Sequence, residues 1–200
     1  RAAVAVERSG GAWCVRLQGD DTLRARALIL TVPPRRAAAL IRSLDESIST
    51  DLDRIPFAST VAVYSGYRRQ DVRHPLDAYG LLVPRSEGLR TTAVSFFSTK
   101  FPGRAPEGHV LLRSFLGGVG DEAILDESDE TLVALVRRDL RDILGITGEP
   151  VLTRVFRWPS ATPQMEVGHL DRMASVERRL SQLPGLLVAG AGLRSTGIPD

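Results

Sequence analysis

What most constrains this chain is where its unbroken apolar runs fall. Ala27-Leu28-Ile29-Leu30-Thr31-Val32 closes on Pro33-Pro34, and Gly185-Leu186-Leu187-Val188-Ala189 runs into Gly190-Ala191-Gly192. A short continuous apolar run bounded by breakers reads as a strand buried on both faces, as in a parallel sheet. These runs lie toward the two ends of the chain, and the section between them differs in kind. Residues 59–67, 78–84, 91–98 and 109–116 are rich in Val, Leu, Phe and Tyr and are separated by turn-rich loops, which predicts an antiparallel sheet.

Helical signals fill the gaps. Pro34 suits a first helical turn, and residues 37–44 carry apolar side chains at helical spacing. Ser128 or Asp129 can cap a helix whose stripe is Leu132, Leu135, Val136, Leu140 and Ile143, with Gly145 as its stop. A strand over 150–158 leads into an irregular crossing over 159–168, because Pro159 and Pro163 disfavour helix and central strand alike. A last helix over 170–183 puts Met173, Val176 and Leu180 on one side. The organisation is α/β, then an antiparallel insertion, then α/β again, with boundaries expected near residues 50 and 150.

Composition narrows the function classes. A formal charge of +2 does not suggest nucleic acid, and Lys100 is the single lysine among 26 basic residues, so the cation is nearly always arginine. Arginine suits carboxylates through its planar fork. Cys14 is the one cysteine, which excludes an intrachain disulfide or a thiolate metal cluster and agrees with a reducing cytoplasmic setting. No run reaches the roughly 18 apolar residues of a membrane span. The chain starts at Arg1 and stops at Asp200, directly after a Gly-Ile-Pro turn, and is expected to be a piece of a longer protein.

Two stretches stand out chemically. In the first, Arg157-Trp158-Pro159-Ser160-Ala161-Thr162-Pro163-Gln164 leads to Gly168-His169-Leu170. An indole there could shield a planar cofactor, although a lone Trp is more often core. In the second, the last apolar run enters Gly190-Ala191-Gly192-Leu193-Arg194-Ser195-Thr196-Gly197-Ile198-Pro199-Asp200. Glycines after a strand let a backbone approach a ligand, and open sheets bind ligands outside their strands' carboxyl ends. A plain glycine turn is the competing reading. Nothing resembles a nucleophile elbow or a metal-ligand spacing. His74 and His109 sit in or beside turns, and His169 is expected to cap or orient the helix after it.

Taken together, Arg-Trp-Pro, Pro-Gln, Gly-His-Leu, Leu-Pro-Gly-Leu and the final Gly-Ile-Pro-Asp resemble the carboxyl-terminal signature of the protoporphyrinogen and coproporphyrinogen III oxidase family. Phe101-Pro102-Gly103-Arg104-Ala105-Pro106-Glu107-Gly108, Gly80-Leu81-Leu82-Val83-Pro84 and Phe115-Leu116-Gly117-Gly118 resemble bacterial members, so the likeness runs over nearly the whole chain. It implies an α/β (α+β) fold: part of an FAD-binding domain of the p-hydroxybenzoate-hydroxylase-like type (1–50 and 151–200) with an inserted, mainly antiparallel substrate domain (51–150). By position, Ala3 matches an adenine contact that is usually Val, and Trp158 a flavin contact. Gly190 opens the terminal turn, and Thr196, Gly197 and Ile198 match the run beside the isoalloxazine. Tyr79, Leu82 and Phe115 match the apolar walls around the tetrapyrrole, with ordinary core packing as the alternative. Ala191 where Asn is common, and Met165 where Tyr is common, depart from the pattern.

The activity so implied is oxidation of coproporphyrinogen III or protoporphyrinogen IX in haem biosynthesis. Hydride passes to FAD over three rounds, and O₂ is the final acceptor. No catalytic side chain and no metal is expected. Three alternatives stay open. One is a flavin amine oxidase, and another a carotenoid-desaturase-like enzyme. The third is an inactive piece, since the sequence has no Gly-x-Gly-x-x-Gly unit to hold the FAD pyrophosphate. Peripheral membrane contact through other regions is also left open.

Overall fold

The computed structural model describes residues 1–194 and divides the chain into two compact units. One comprises residues 1–57 together with the segment from Pro163 onward; the other is residues 58–162. The expected boundary at residue 50 falls inside a helix (Glu46–Asp53), and that at 150 falls just before a strand that closes the second unit.

In the first unit, β1 (Ala3–Ser9), β2 (Ala12–Leu17) and β3 (Thr22–Ala25) form an antiparallel meander. β4 (Leu28–Leu30) pairs in parallel with β10 (Leu186–Val188), in the register Leu28–Leu186 and Leu30–Val188. Parallel pairing demands a long crossover, which the whole second unit supplies. Both strands were expected to be buried on each face, and they are not. Ile29 and Leu187 sit opposite one another and are more than half exposed. Among the described residues the pair has two strands and one covered face, on which Leu30 and Leu186 are buried and Leu28 and Val188 pack against the core.

That core is closed by α1 (Pro34–Ile41), α2 (Glu46–Asp53) and α5 (His169–Leu180). Pro34 occupies the first turn of α1, where its missing N–H is no loss. The sequence reading did not include α2. Its signals are nonetheless local: Asp45 accepts the Ile48 N–H at 2.9 Å, and Ile48 and Leu52 fall four apart on one buried face. Ser49 Oγ donates to the Ala38 carbonyl at 2.9 Å and locks α2 to α1. The Trp13 indole N–H donates to the Pro184 carbonyl at 3.2 Å, fixing the approach to β10.

The second unit is a five-stranded sheet in the order β6–β7–β8–β5–β9. Its strands are β5 (Phe57–Arg68), β6 (Gly80–Leu82), β7 (Thr91–Ser95), β8 (His109–Gly117) and β9 (Leu152–Pro163). A four-residue helix, α3 (Phe97–Lys100), follows β7 and takes up the end of the run expected as strand. Alternation decides the two faces. Val61, Val63 and Tyr67 of β5 and Val110, Leu112 and Leu116 of β8 point to one side and are buried. There they meet Leu132, Val136, Leu140 and Leu144 of α4 (Asp129–Leu144), each worth roughly 1.5–3 kcal/mol of burial. Ser128 caps α4 through the Thr131 N–H, and Gly145 ends it in the left-handed conformation.

β9 departs from expectation. The strand continues through Trp158-Pro159 as far as Pro163, where an irregular crossing was expected. The reason is its place in the sheet: β9 is an edge strand, and an edge tolerates a residue without an N–H. It runs back along β5, with Val151 N–H bonded to Gly66 O at one end and Ser160 N–H to Ser59 Oγ at the other. No helix among the described residues is long and apolar enough to cross a membrane.

Candidate functional site

The face of the second unit's sheet opposite α4 carries a different chemistry. Reading the register across it gives Leu82 on β6, Ala93 and Ser95 on β7, Leu111, Arg113 and Phe115 on β8, and Ala62 and Tyr64 on β5. β9 adds Leu152, Arg154, Phe156 and Trp158. No acidic residue is among them.

The three residues expected to wall a substrate come together on this face. Tyr79, Leu82 and Phe115 line one hollow of about 280 Å³ with Gly80, Leu81, Ala93, Val94 and Ser95. Tyr79 is 69% and Leu82 83% exposed, so neither is a core side chain. Gly80 lets the hollow form. A Cβ on it would lie 2.3 Å from the Val94 carbonyl oxygen, so only glycine lets β6 approach β7 there.

Trp158 belongs to a second hollow on the same face, of about 310 Å³, with Tyr64, Leu111, Leu152, Arg154 and Phe156. It is 52% exposed, which removes the core alternative. Its neighbour Arg157 has the opposite role. That guanidinium bonds the carbonyls of Leu125 (2.9 Å) and Glu127 (2.5 Å) and the Asp129 carboxylate (2.6 Å), clamping β9 to the segment that enters α4. The Arg-Trp motif thus divides into a structural arginine and a displayed indole.

Aromatic rings and one cation join the two hollows. Tyr64 meets Phe97 and Phe156 edge-on, at centroid distances of 5.4 and 5.6 Å. The Arg113 guanidinium carbon lies 4.7 Å from the Phe115 centroid, 5.2 Å from that of Phe97 and 5.9 Å from that of Tyr64. These are cation–π distances. Sequence reasoning singled out Phe115 and passed over Arg113, Tyr64 and Phe156. Strand parity was the available signal, since Leu111, Arg113 and Phe115 alternate onto one face.

Two further expected residues, Ala3 and Gly190, lie in the first unit. Ala3 opens β1 opposite Leu17. Gly190 follows β10 at its carboxyl end with φ +132°, and the bond from Ala189 N–H to the Leu30 carbonyl (2.9 Å) keeps it level with the end of β4. A Cβ on Gly190 would meet nothing nearer than the Thr31 oxygen at 3.8 Å. Its backbone angle therefore favours glycine, while the space beside it stays open to a ligand. That position, outside the carboxyl ends of two parallel strands, fits a flavin or nucleotide edge. Ala3 and the strand that precedes Gly190 belong to different sheets of this unit. Thr196, Gly197 and Ile198 lie outside the described residues.

α5 holds the approach to that terminal run. His169 was expected to cap or orient the helix; instead its buried ring binds the Leu193 carbonyl through Nε2 at 2.5 Å, and Gly168 takes the capping position. A carbonyl only accepts, so Nε2 carries the proton. Two turns along, Glu177 accepts both guanidinium arms of Arg194 at 2.6 Å each. That bidentate bond holds the Glu177 carboxyl below the usual carboxylate range and raises Arg194 in turn.

With this geometry in place, likeness to known proteins decides the family. The sequence profile of the flavin containing amine oxidoreductases matches residues 3–199. The chain belongs to that family. Among curated relatives, a coproporphyrinogen III oxidase from Bacillus subtilis is 34% identical over 196 residues, covering 98% of this chain and 41% of the relative. A chloroplastic protoporphyrinogen oxidase from Nicotiana tabacum is 32% identical, covering 86% of this chain and 33% of the relative. The crystal structure of a putative protoporphyrinogen oxidase from Exiguobacterium superposes with a TM-score of 0.82 at 30% identity, covering 99% of this chain and 43% of that one. Cyclohexylamine oxidase from Brevibacterium oxydans, at 16% identity and a TM-score of 0.68, shares the fold. The chain therefore spans about two-fifths or less of the length of these relatives.

Proposed function

We propose that this chain is part of an FAD-dependent porphyrinogen oxidase, with the open face of its five-stranded sheet as one wall of the tetrapyrrole site. The observation that carries the reading is the convergence of Tyr79, Leu82 and Phe115 on a single hollow. A broad, flat, apolar macrocycle needs such a wall: aromatic and aliphatic, with few polar groups. The names of the sequence relatives point to the same substrates, coproporphyrinogen III and protoporphyrinogen IX.

FAD would supply the two-electron oxidation when bound, with O₂ as the final acceptor. The residues present fit part of its site. Gly190 offers a bare Cα at the end of β10, and α5 holds Leu193 and Arg194 through His169 and Glu177. The pyrophosphate needs a Gly-x-Gly-x-x-Gly unit that this sequence does not contain. In this reading the first unit belongs to a p-hydroxybenzoate-hydroxylase-like FAD domain and the second is the substrate domain. The protein's own contribution is orientation: the sheet face holds the ring flat, and its aromatic cover keeps water from the reacting carbons. No side chain is required as general base.

The test uses the product of the full reading frame. Coproporphyrinogen III and protoporphyrinogen IX are supplied separately in air, and porphyrin fluorescence is followed beside peroxide release. Fluorescence from either substrate supports the reading. Peroxide from a primary amine, with no porphyrin formed from either porphyrinogen, overturns it in favour of an amine oxidase.

A further inference from the structure

We propose that Arg113 is the carboxylate anchor of the open sheet face, so that one acidic side arm of the macrocycle is bound by this guanidinium and acidic substrates are selected over neutral ones. This deepens the porphyrinogen reading above and rests on it. Arg113 stands on β8 between Leu111 and Phe115, on the same face as both, and these two neighbours line the two separate hollows. A flat ligand covering that face has Arg113 beneath it.

The state of the guanidinium argues for a missing anion. Several other arginines of the second unit have their forks engaged. Arg90 pairs with Asp121, Arg138 with Asp139, Arg157 with Asp129 and Arg137 with Glu149, while Arg69 bonds three carbonyls. Arg113 has no carboxylate partner among the described residues. Its Nη1 reaches only the Tyr64 hydroxyl, at 3.4 Å, and its Nε–H is buried with no acceptor. Burying a charged donor without an acceptor is unfavourable. Three rings hold the group in place, and ring faces offset part of that cost without using up the in-plane N–H donors. A carboxylate approaching in that plane would take two parallel bonds. No acidic side chain on the face competes for the guanidinium; the other charged residue there is Arg154, which donates to the Thr153 carbonyl at 2.8 Å. Each of these features favours an anion, and none is needed to build the sheet.

The experiment compares the full-reading-frame protein with Arg113→Met and Arg113→Lys on two substrates, coproporphyrinogen III and its tetramethyl ester. Arg113→Met is expected to raise KM for the tetra-acid on the order of 10- to 100-fold. KM for the ester should move by less than about twofold, because the lost interaction needs the carboxylate. Arg113→Lys keeps the charge without the planar fork and should fall between. Equal shifts for acid and ester, or no shift for either, overturn the anchor while wild-type porphyrin formation leaves the functional reading standing. If the wild type oxidises neither substrate, the functional reading fails, and the anchor with it. Should Arg113→Met unfold in a thermal melt, the acid-to-ester ratio of Arg113→Lys decides: a ratio equal to wild type overturns fork-mediated binding.

Discussion

Asp139 is the side chain whose removal most directly tests how the open face is held in shape. It is fully buried on α4, inside the apolar stripe between Val136 and Leu140. One oxygen, Oδ2, accepts the Arg90 N–H at 2.9 Å and the Thr91 N–H at 2.7 Å, which fixes the start of β7 against the helix. The other, Oδ1, faces Arg138, whose side chain is 56% exposed. Asp139→Ala strands both backbone donors. At about 1–3 kcal/mol for each buried orphan, the expected cost is about 2–6 kcal/mol, a large share of the ~5–15 kcal/mol that holds a typical domain. Asp139→Asn should behave differently. Its amide oxygen can occupy the Oδ2 position and keep both N–H bonds, while Arg138 swings into solvent, for a loss of about 1 kcal/mol. Hydrogen exchange of the peptide spanning 90–95, followed by mass spectrometry in the full protein, reads the effect locally. Asp139→Ala should accelerate exchange by at least roughly 30-fold, and Asp139→Asn by less than roughly tenfold. If the two variants exchange alike, the ion pair with Arg138 holds β7 and the backbone-donor reasoning is wrong.

Other consequences follow from the same geometry. Gly80→Ala forces a Cβ onto the Val94 carbonyl, so unfolding should become easier by about 1–3 kcal/mol, and KM for a porphyrinogen should rise; an unchanged melting temperature would contradict the close approach of β6 to β7. Phe115→Ala removes a wall that is only half-buried, so KM should rise about tenfold with little change in stability, and a fall in kcat at constant KM would count against the wall role. The Glu177 carboxyl titrates below the ordinary range because Arg194 bonds it, so its contribution to holding Arg194 against α5 is present above the unfolded pKa and is lost as pH falls through the depressed folded value. A carboxyl-resolved NMR titration should show that depression, and Arg194→Ala should abolish it.

The elements that were legible were those with local causes. α4 was readable from its Ser128 cap, its stripe and its Gly145 stop, and β5 and β8 from their Val, Leu, Phe and Tyr content between turn-rich loops. Leu82 and Phe115, which line the first hollow, were singled out because they lie in motifs with a family likeness. What escaped has a different character. Asp139 interrupts an apolar stripe, yet nothing near it in sequence says that the backbone of Arg90 and Thr91 will supply its donors. The misplaced end of β9 came from judging Pro159 and Pro163 as though the strand were central.

Sequence alone therefore determined most of the turns, the main strands and helices such as α1, α4 and α5, and which family the motifs resemble, because caps, breakers and periodicity act over a few residues. Tertiary structure decided the rest. Long-range pairing set β9 at an edge and left one face of the sheet uncovered by helix. It also brought Arg113 among three rings contributed by β5, β8 and α3. Such contacts depend on which strands become neighbours, and no local pattern encodes that choice.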